Sequence, residues 1–141
     1  MSEIKEIQDE IVDEFSMFDD WMQRYEYMID LGKSLPLIDE NYKTDENLIK
    51  GCQSRVWVHA EMDDGKLVFT ADSDAIITKG IIAILIRAYS HQSPKEILEA
   101  DTGFIDEIGL KEHLSPTRAN GLVSMIKQLK AYALAYLSKS N

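Results

Sequence analysis

Cysteine is nearly absent from this chain: among 141 residues only Cys52 carries a thiol. No intramolecular disulfide can form, and a reducing, cytoplasmic setting is expected. One thiol and three scattered histidines also lack the close ligand pairs of a zinc or iron–sulfur centre. Basic residues are scarce as well. Fifteen Lys and Arg face 25 Asp and Glu, a formal charge of −10. Such a surface is a poor match for nucleic-acid phosphates or an anionic membrane, and both are excluded as general partners. Long apolar runs are missing too: the longest, Ile81 to Ile86, is far too short to span a bilayer. The opening Met1-Ser2-Glu3-Ile4-Lys5-Glu6 has neither the basic start nor the apolar centre expected of a secretory signal.

What is present fits one soluble globular domain over residues 1–141, with 45% hydrophobic and 28% charged residues. The acid is concentrated early. Residues 1–50 hold 14 acidic and 5 basic side chains, whereas 51–141 are nearly balanced. An acidic, solvated face therefore belongs to the first third, and chemistry is expected in the remainder.

Ile4, Ile7, Ile11, Phe15 and Phe18 recur at spacings of three and four, which predicts an amphipathic helix from Ile4 to Phe18. Asp20 with Gln23 reads as a capping box opening a second helix, with Gly32 as its left-handed C-cap. Residues 34–51 form a long connection that ends at the cysteine, and long connections are often functional. From Ser54 the period becomes two, placing Val56, Val58, Ala60 and Met62 on one face. Asp64-Gly65 reads as a hairpin turn before the strand Leu67–Ala71. A mostly apolar helix spans Ile76 to His91, capped by Asp72, Ser73 or Asp74. Ser93 and Glu96 form a second capping box, a short helix covers Phe104 to Ile108 before Gly109, and Ser115-Pro116 opens the last helix. The architecture expected is α+β, with helices packed on a small antiparallel sheet.

Cys52 is the first candidate for chemistry. It sits in Gly51-Cys52-Gln53-Ser54, outside any apolar stripe, where a loop lets the sulfur move. A nucleophilic thiolate there and an inert half-buried thiol are both open readings. Pairing with His59, His91 or His113 would make a cysteine hydrolase or peroxidatic enzyme, but nothing in the sequence sets one beside Cys52. Gly80, inside a helix, implies close packing, placed here against the cysteine loop. Arg118 falls in the third position of the last helix, where a cation opposes the helix dipole by roughly 0.3–1 kcal/mol. An internal carboxylate, a sulfur anion at Cys52 or an acidic partner would offset that cost. Gly121 implies a close backbone approach.

Gly51-Cys52-Gln53-Ser54-Arg55-Val56-Trp57, Asp72-Ser73-Asp74-Ala75 with Lys79-Gly80, and His113-Leu114-Ser115-Pro116-Thr117-Arg118 with Gly121-Leu122 together resemble the SufE family of cysteine desulfuration proteins. The resemblance covers nearly the whole chain. It implies a SufE/IscU-like α+β sandwich with a small antiparallel sheet of about three strands. It also implies sulfur relay. Cys52 would accept persulfide sulfur from a PLP-dependent cysteine desulfurase of the SufS type, stimulate that enzyme, and pass the sulfur to a SufBCD scaffold for iron–sulfur cluster assembly. PLP would belong to the partner, and this chain would bind no cofactor beyond a transient persulfide. Several cysteines serve as cluster ligands in IscU-like scaffolds, whereas one thiol implies a carrier. The resemblance places Gly51, Gln53, Ser54, Arg55, Asp74 and Arg118 as loop support or desulfurase contacts. Cys52 is expected to pack inward in the free protein and swing out on docking. A homodimer through a strand edge or the apolar helices is a further expectation, and an allosteric binding module with an incidental Cys52 is the alternative.

Overall fold

The structure, a computed structural model, describes residues 3–52 and 54–140. Two helices open the chain, α1 (Glu3–Ser16) and α2 (Trp21–Lys33), followed by the hairpin β1 (Val56–Asp63) and β2 (Lys66–Ser73). Helices α3 (Ile76–Tyr89), α4 (Pro94–Glu99), α5 (Gly103–Glu107), α6 (Leu110–His113) and α7 (Pro116–Ser140) complete it. Asp20 accepts from Gln23 N–H at 2.9 Å, and Ser93 accepts from Glu96 N–H at 3.2 Å, as the two capping boxes require. Asp64 and Gly65, with φ of 52° and 81°, form the two-residue turn that pairs Asp63 with Lys66.

Helix α3 is the centre of the molecule. Residues 80–86 are all buried, and α3 packs against α1, α2, α7 and β2. Val56, Val58, Leu67, Phe69 and Ala71 supply the sheet's inner face to the same core. Met62, expected on that face, is exposed near the hairpin turn.

The sheet has two strands where three were expected, because single contacts occupy its outer edges. On the β1 side, Tyr132 and Tyr136 hydroxyls donate to Val58 O and Ala60 O at 3.2 and 3.0 Å. On the β2 side, Ala71 exchanges hydrogen bonds with Pro36 and Ile38, and Leu67 with His91 and Gln92.

Other expectations are corrected at helix ends. The first helix stops at Ser16, short of Phe18, and α3 stops at Tyr89, with His91 in a left-handed turn (φ 63°). Gly32 is not a C-cap. It lies inside α2 against Gly80, so that a Cβ on Gly32 would come within 3.1 Å of Gly80 N. Gly80 accordingly packs on α2 and not on the cysteine loop. None of Asp72, Ser73 and Asp74 caps α3: its N-cap is Ala75, without a side-chain hydrogen bond. Asp72 instead pairs with Lys43 at 2.7 Å and Lys79 at 3.4 Å.

Candidate functional site

The cysteine loop has a fixed neck. Ile49 N–H donates to Val56 O at 2.8 Å, and Leu48 bridges to Trp57, which closes the neck of the loop that carries Cys52. Asp74 braces the base: its carboxylate accepts from Arg55 N–H at 3.1 Å, and its own N–H donates to Arg55 O at 3.2 Å. Gly51 takes a φ of 93°, in the left-handed region that favours glycine, and a Cβ there would clash with Ser124 Oγ of α7. Both its conformation and its neighbour therefore demand glycine. Gln53 lies outside the described residues.

Within this loop Cys52 is half-buried, with Sγ 3.6 Å from Gly121 O, a weak S–H contact. The loop rests on α7 at Gly121, where a Cβ would meet Sγ at 3.4 Å, an ordinary contact that does not require glycine. Burial pushes the Cys52 thiol above its ordinary range, so the resting group is the neutral thiol.

Beside the sulfur is a cleft of about 40 Å³. Its apolar wall comes from Ile81 of α3 and Met125 of α7, and its polar rim from the hydroxyl residues Ser54, Thr78 and Thr117. Arg118, an exposed residue, also lines it. Its backbone N–H donates to Ser115 Oγ at 3.3 Å, which confirms the expected cap of α7. Among the described residues no carboxylate pairs with its guanidinium, so an internal ion pair does not offset its position in the first helical turn.

No histidine lines the cleft. His59 pairs with Glu61 at 2.9 Å and stacks on Tyr42, while His113 stacks on Trp21 with ring centres 4.0 Å apart. His91 lines a separate groove with Leu31 and Leu35. Among the described residues no group of His, Cys, Asp and Glu could hold a metal ion. Cys52, Ser54 and Arg118 thus meet at one cleft, with Gly51, Arg55 and Asp74 supporting the loop. Sequence reasoning missed Thr78, Thr117 and Ser124. Thr78 left one signal, a polar residue in an otherwise apolar helical stretch.

Fold and site define an α+β protein that presents one thiol on a loop, beside a small cleft and without an adjacent base. The chain matches the SufE family model, described as an Fe-S metabolism associated domain, over residues 9–133. An uncharacterized SufE-like protein of Rhizobium meliloti is 44% identical over 130 residues, covering 89% of this chain and 93% of that protein. Another from Synechocystis sp. is 37% identical over 126 residues, covering 89% and 79%. The solution structure of a hypothetical protein from Thermus thermophilus shares the fold, with a TM-score of 0.78 at 22% identity over 94% of this chain and 96% of that one. This chain belongs to the SufE family, and its place is in the sulfur transfer of iron–sulfur metabolism. Among the described residues no helix is long and apolar enough to cross a membrane.

Proposed function

We propose that Cys52 is a sulfur carrier. It takes a sulfur atom from the active-site cysteine persulfide of a PLP-dependent, SufS-type desulfurase, stimulates that enzyme by clearing its persulfide, and delivers the sulfur to a SufBCD-type scaffold. The observation that supports this most is a loop thiol with a single weak polar contact and no base in its cleft. A hydrolytic cysteine needs a base within hydrogen-bond reach to activate it. A carrier does not, because the exchange supplies its own proton acceptor.

The Cys52 thiolate attacks the outer sulfur of the donor persulfide. One S–S bond forms on Cys52 as the donor's S–S bond breaks. The donor sulfur leaves as thiolate and takes up the proton that Cys52 lost, so no net oxidation or reduction occurs. The reverse chemistry unloads the sulfur onto the scaffold. PLP remains with the desulfurase throughout.

Burial of the resting thiol keeps it little reactive. Displacing the tip about its neck on docking exposes Sγ and restores an ordinary thiol. Arg118, exposed and without an internal partner, then meets the acidic groups of the docked enzyme.

Intact-protein mass spectrometry after incubation with a cysteine desulfurase, PLP and L-cysteine tests the reading. The expected result is a gain of one sulfur, reversed by reductant and lost in Cys52→Ser. No gain with an active desulfurase would sink it. Retained stimulation of the desulfurase by Cys52→Ser would favour the allosteric module instead.

A further inference from the structure

We infer that the elbow between α1 and α2 is a docking surface for a basic segment of a partner protein, which lays the stem of a lysine or arginine on Phe18 and Tyr27 and sets its cation at Glu26 and Asp30. The surface is independent of the carrier reading, since none of its residues lines the cleft at Cys52.

Shape is the first argument. A groove of about 230 Å³ is lined by Phe18, Gln23, Glu26, Tyr27 and Asp30. Sites for drug-sized ligands and cofactors run to roughly 300–1,000 Å³, so this one suits a protein side chain better than a free small molecule. Phe18 and Tyr27 meet with ring centres 5.1 Å apart, and the Tyr27 hydroxyl donates to Glu14 of α1. The aromatic floor is therefore fixed by the packing of the two helices.

Uncovered apolar surface is the second. Met17 and Met22 are 76% and 71% exposed. Met17 directly precedes Phe18, and Met22 lies one turn before Glu26 on the same face of α2. Unbranched thioethers mould themselves to varied partners, and two of them flank one aromatic groove. By contrast, Met28 and Met125 are buried in the core.

Charge decides the occupant. No lysine or arginine lines the groove. Glu26 forms no ion pair among the described residues. Asp30 has only the exposed Lys33 at 3.5 Å, a surface pair that gives way at little cost. The nearby cations are engaged elsewhere: Arg24 donates to Phe18 O and Ile108 O, and Arg87 is held by Glu14. Carboxylates around an apolar floor match a cation on an apolar stem. A second copy of this chain would bring these carboxylates against their own kind, and nucleic acid or anionic lipid is repelled for the same reason. A basic protein segment satisfies both the charge and the apolar floor.

The test labels the methionine methyl groups of the full chain with carbon-13 and follows them by NMR, each signal assigned from a single Met→Leu variant. The probe is a short synthetic peptide of alternating lysine and leucine, with its glutamate–leucine counterpart as control. The basic peptide should move the Met17 and Met22 signals in one saturable titration and leave Met28, Met62 and Met125 in place. Met62, 37% exposed near the hairpin turn, serves as the accessible methionine away from the elbow. Reversing both carboxylates, Glu26→Lys with Asp30→Lys, should weaken binding about tenfold. Glu46→Lys with Glu99→Lys makes the same change of charge at exposed positions elsewhere and should stay within about twofold of wild type. Phe18→Ala should weaken binding about threefold through loss of the aromatic floor.

Met17 and Met22 signals that stay in place at saturating peptide would overturn the docking surface. So would equal weakening by the two double reversals, equal movement of Met62, or equal binding of the glutamate–leucine peptide, each of which would mean general attraction or adhesion instead of a site. If the elbow reversal does not fold, Glu26→Gln with Asp30→Asn replaces it, with Glu46→Gln and Glu99→Gln as its control, under the same criteria.

Discussion

Two glycines bring parts of this protein to close range, and they differ in how much room they leave. A Cβ on Gly80 would stand 2.5 Å from Met28 O and 2.8 Å from Met28 Cγ, a clash against the backbone of α2. A Cβ on Gly121 would stand 3.4 Å from Cys52 Sγ, an ordinary contact with a side chain. The α2–α3 crossing is therefore saturated, backbone against backbone, and neither helix can shift without disturbing the core. The cysteine tip merely rests on α7. Its contact can be broken while the neck at Ile49 and Val56 and the core beneath stay in place.

The largest effect expected from this contrast is on stability. Gly80→Ala forces α2 away from α3 and should cost about 1–3 kcal/mol, the usual range for overpacking. Gly121→Ala should cost nothing and gain up to about 1 kcal/mol from helix propensity. Thermal unfolding of the two variants checks the pair, and a Gly80→Ala protein as stable as wild type would remove the distinction. On the loop side, the alanine in Gly121→Ala covers Sγ and should slow alkylation of Cys52 about twofold.

Gly51→Ala should cost about 1–2 kcal/mol from the left-handed conformation alone. The clash with Ser124 Oγ adds to that, so Ser124→Ala should recover part of the loss in a double-mutant cycle. Strict additivity would mean that the two residues do not share the strain.

Titration of Cys52 sharpens the comparison further. Burial raises the thiol, so iodoacetamide labelling should follow a pH profile lying above that of the unfolded chain in urea. The folded value exceeds the unfolded one. The thiol's contribution to stability is thus full below the unfolded value and lost as pH rises through the folded value. Coincident folded and unfolded profiles would show that the tip already stands open.

The smallest effect belongs to the rigid side. Arg87 binds Glu14 in two hydrogen bonds of 2.6 and 2.5 Å, tying α3 to α1 and holding the Glu14 carboxyl below its usual range. Both side chains are partly exposed, so the pair is expected to contribute about 1 kcal/mol after solvent screening. That stability is present above the unfolded carboxyl value and fades as pH falls through the lowered folded one. Glu14→Gln should flatten the acid limb of the unfolding curve without altering Cys52 alkylation.

Much of this organisation was legible because its causes are local. Asp20 with Gln23, Ser93 with Glu96, and Asp64-Gly65 each settle their backbone within a few residues. The misread features depend on distant partners. Gly32 looks like a helix stop until Gly80 occupies the space beside it. Asp72 and Asp74 look like caps until Lys43 and Arg55 claim them. A third strand is expected until two tyrosine hydroxyls and single bridges satisfy the sheet edges.

The same division holds at the site. Sequence alone determined that this protein has one thiol, that it stands on a loop before a hairpin, and that Arg118 and Gly121 begin a helix. Those properties follow from composition and short-range pattern. Only the tertiary structure decided that Cys52 lies against Gly121 and that Thr78 and Arg118 share one cleft with it. The meeting of α3, α7 and the loop is set by packing among residues far apart in the chain, and no local periodicity encodes that distance.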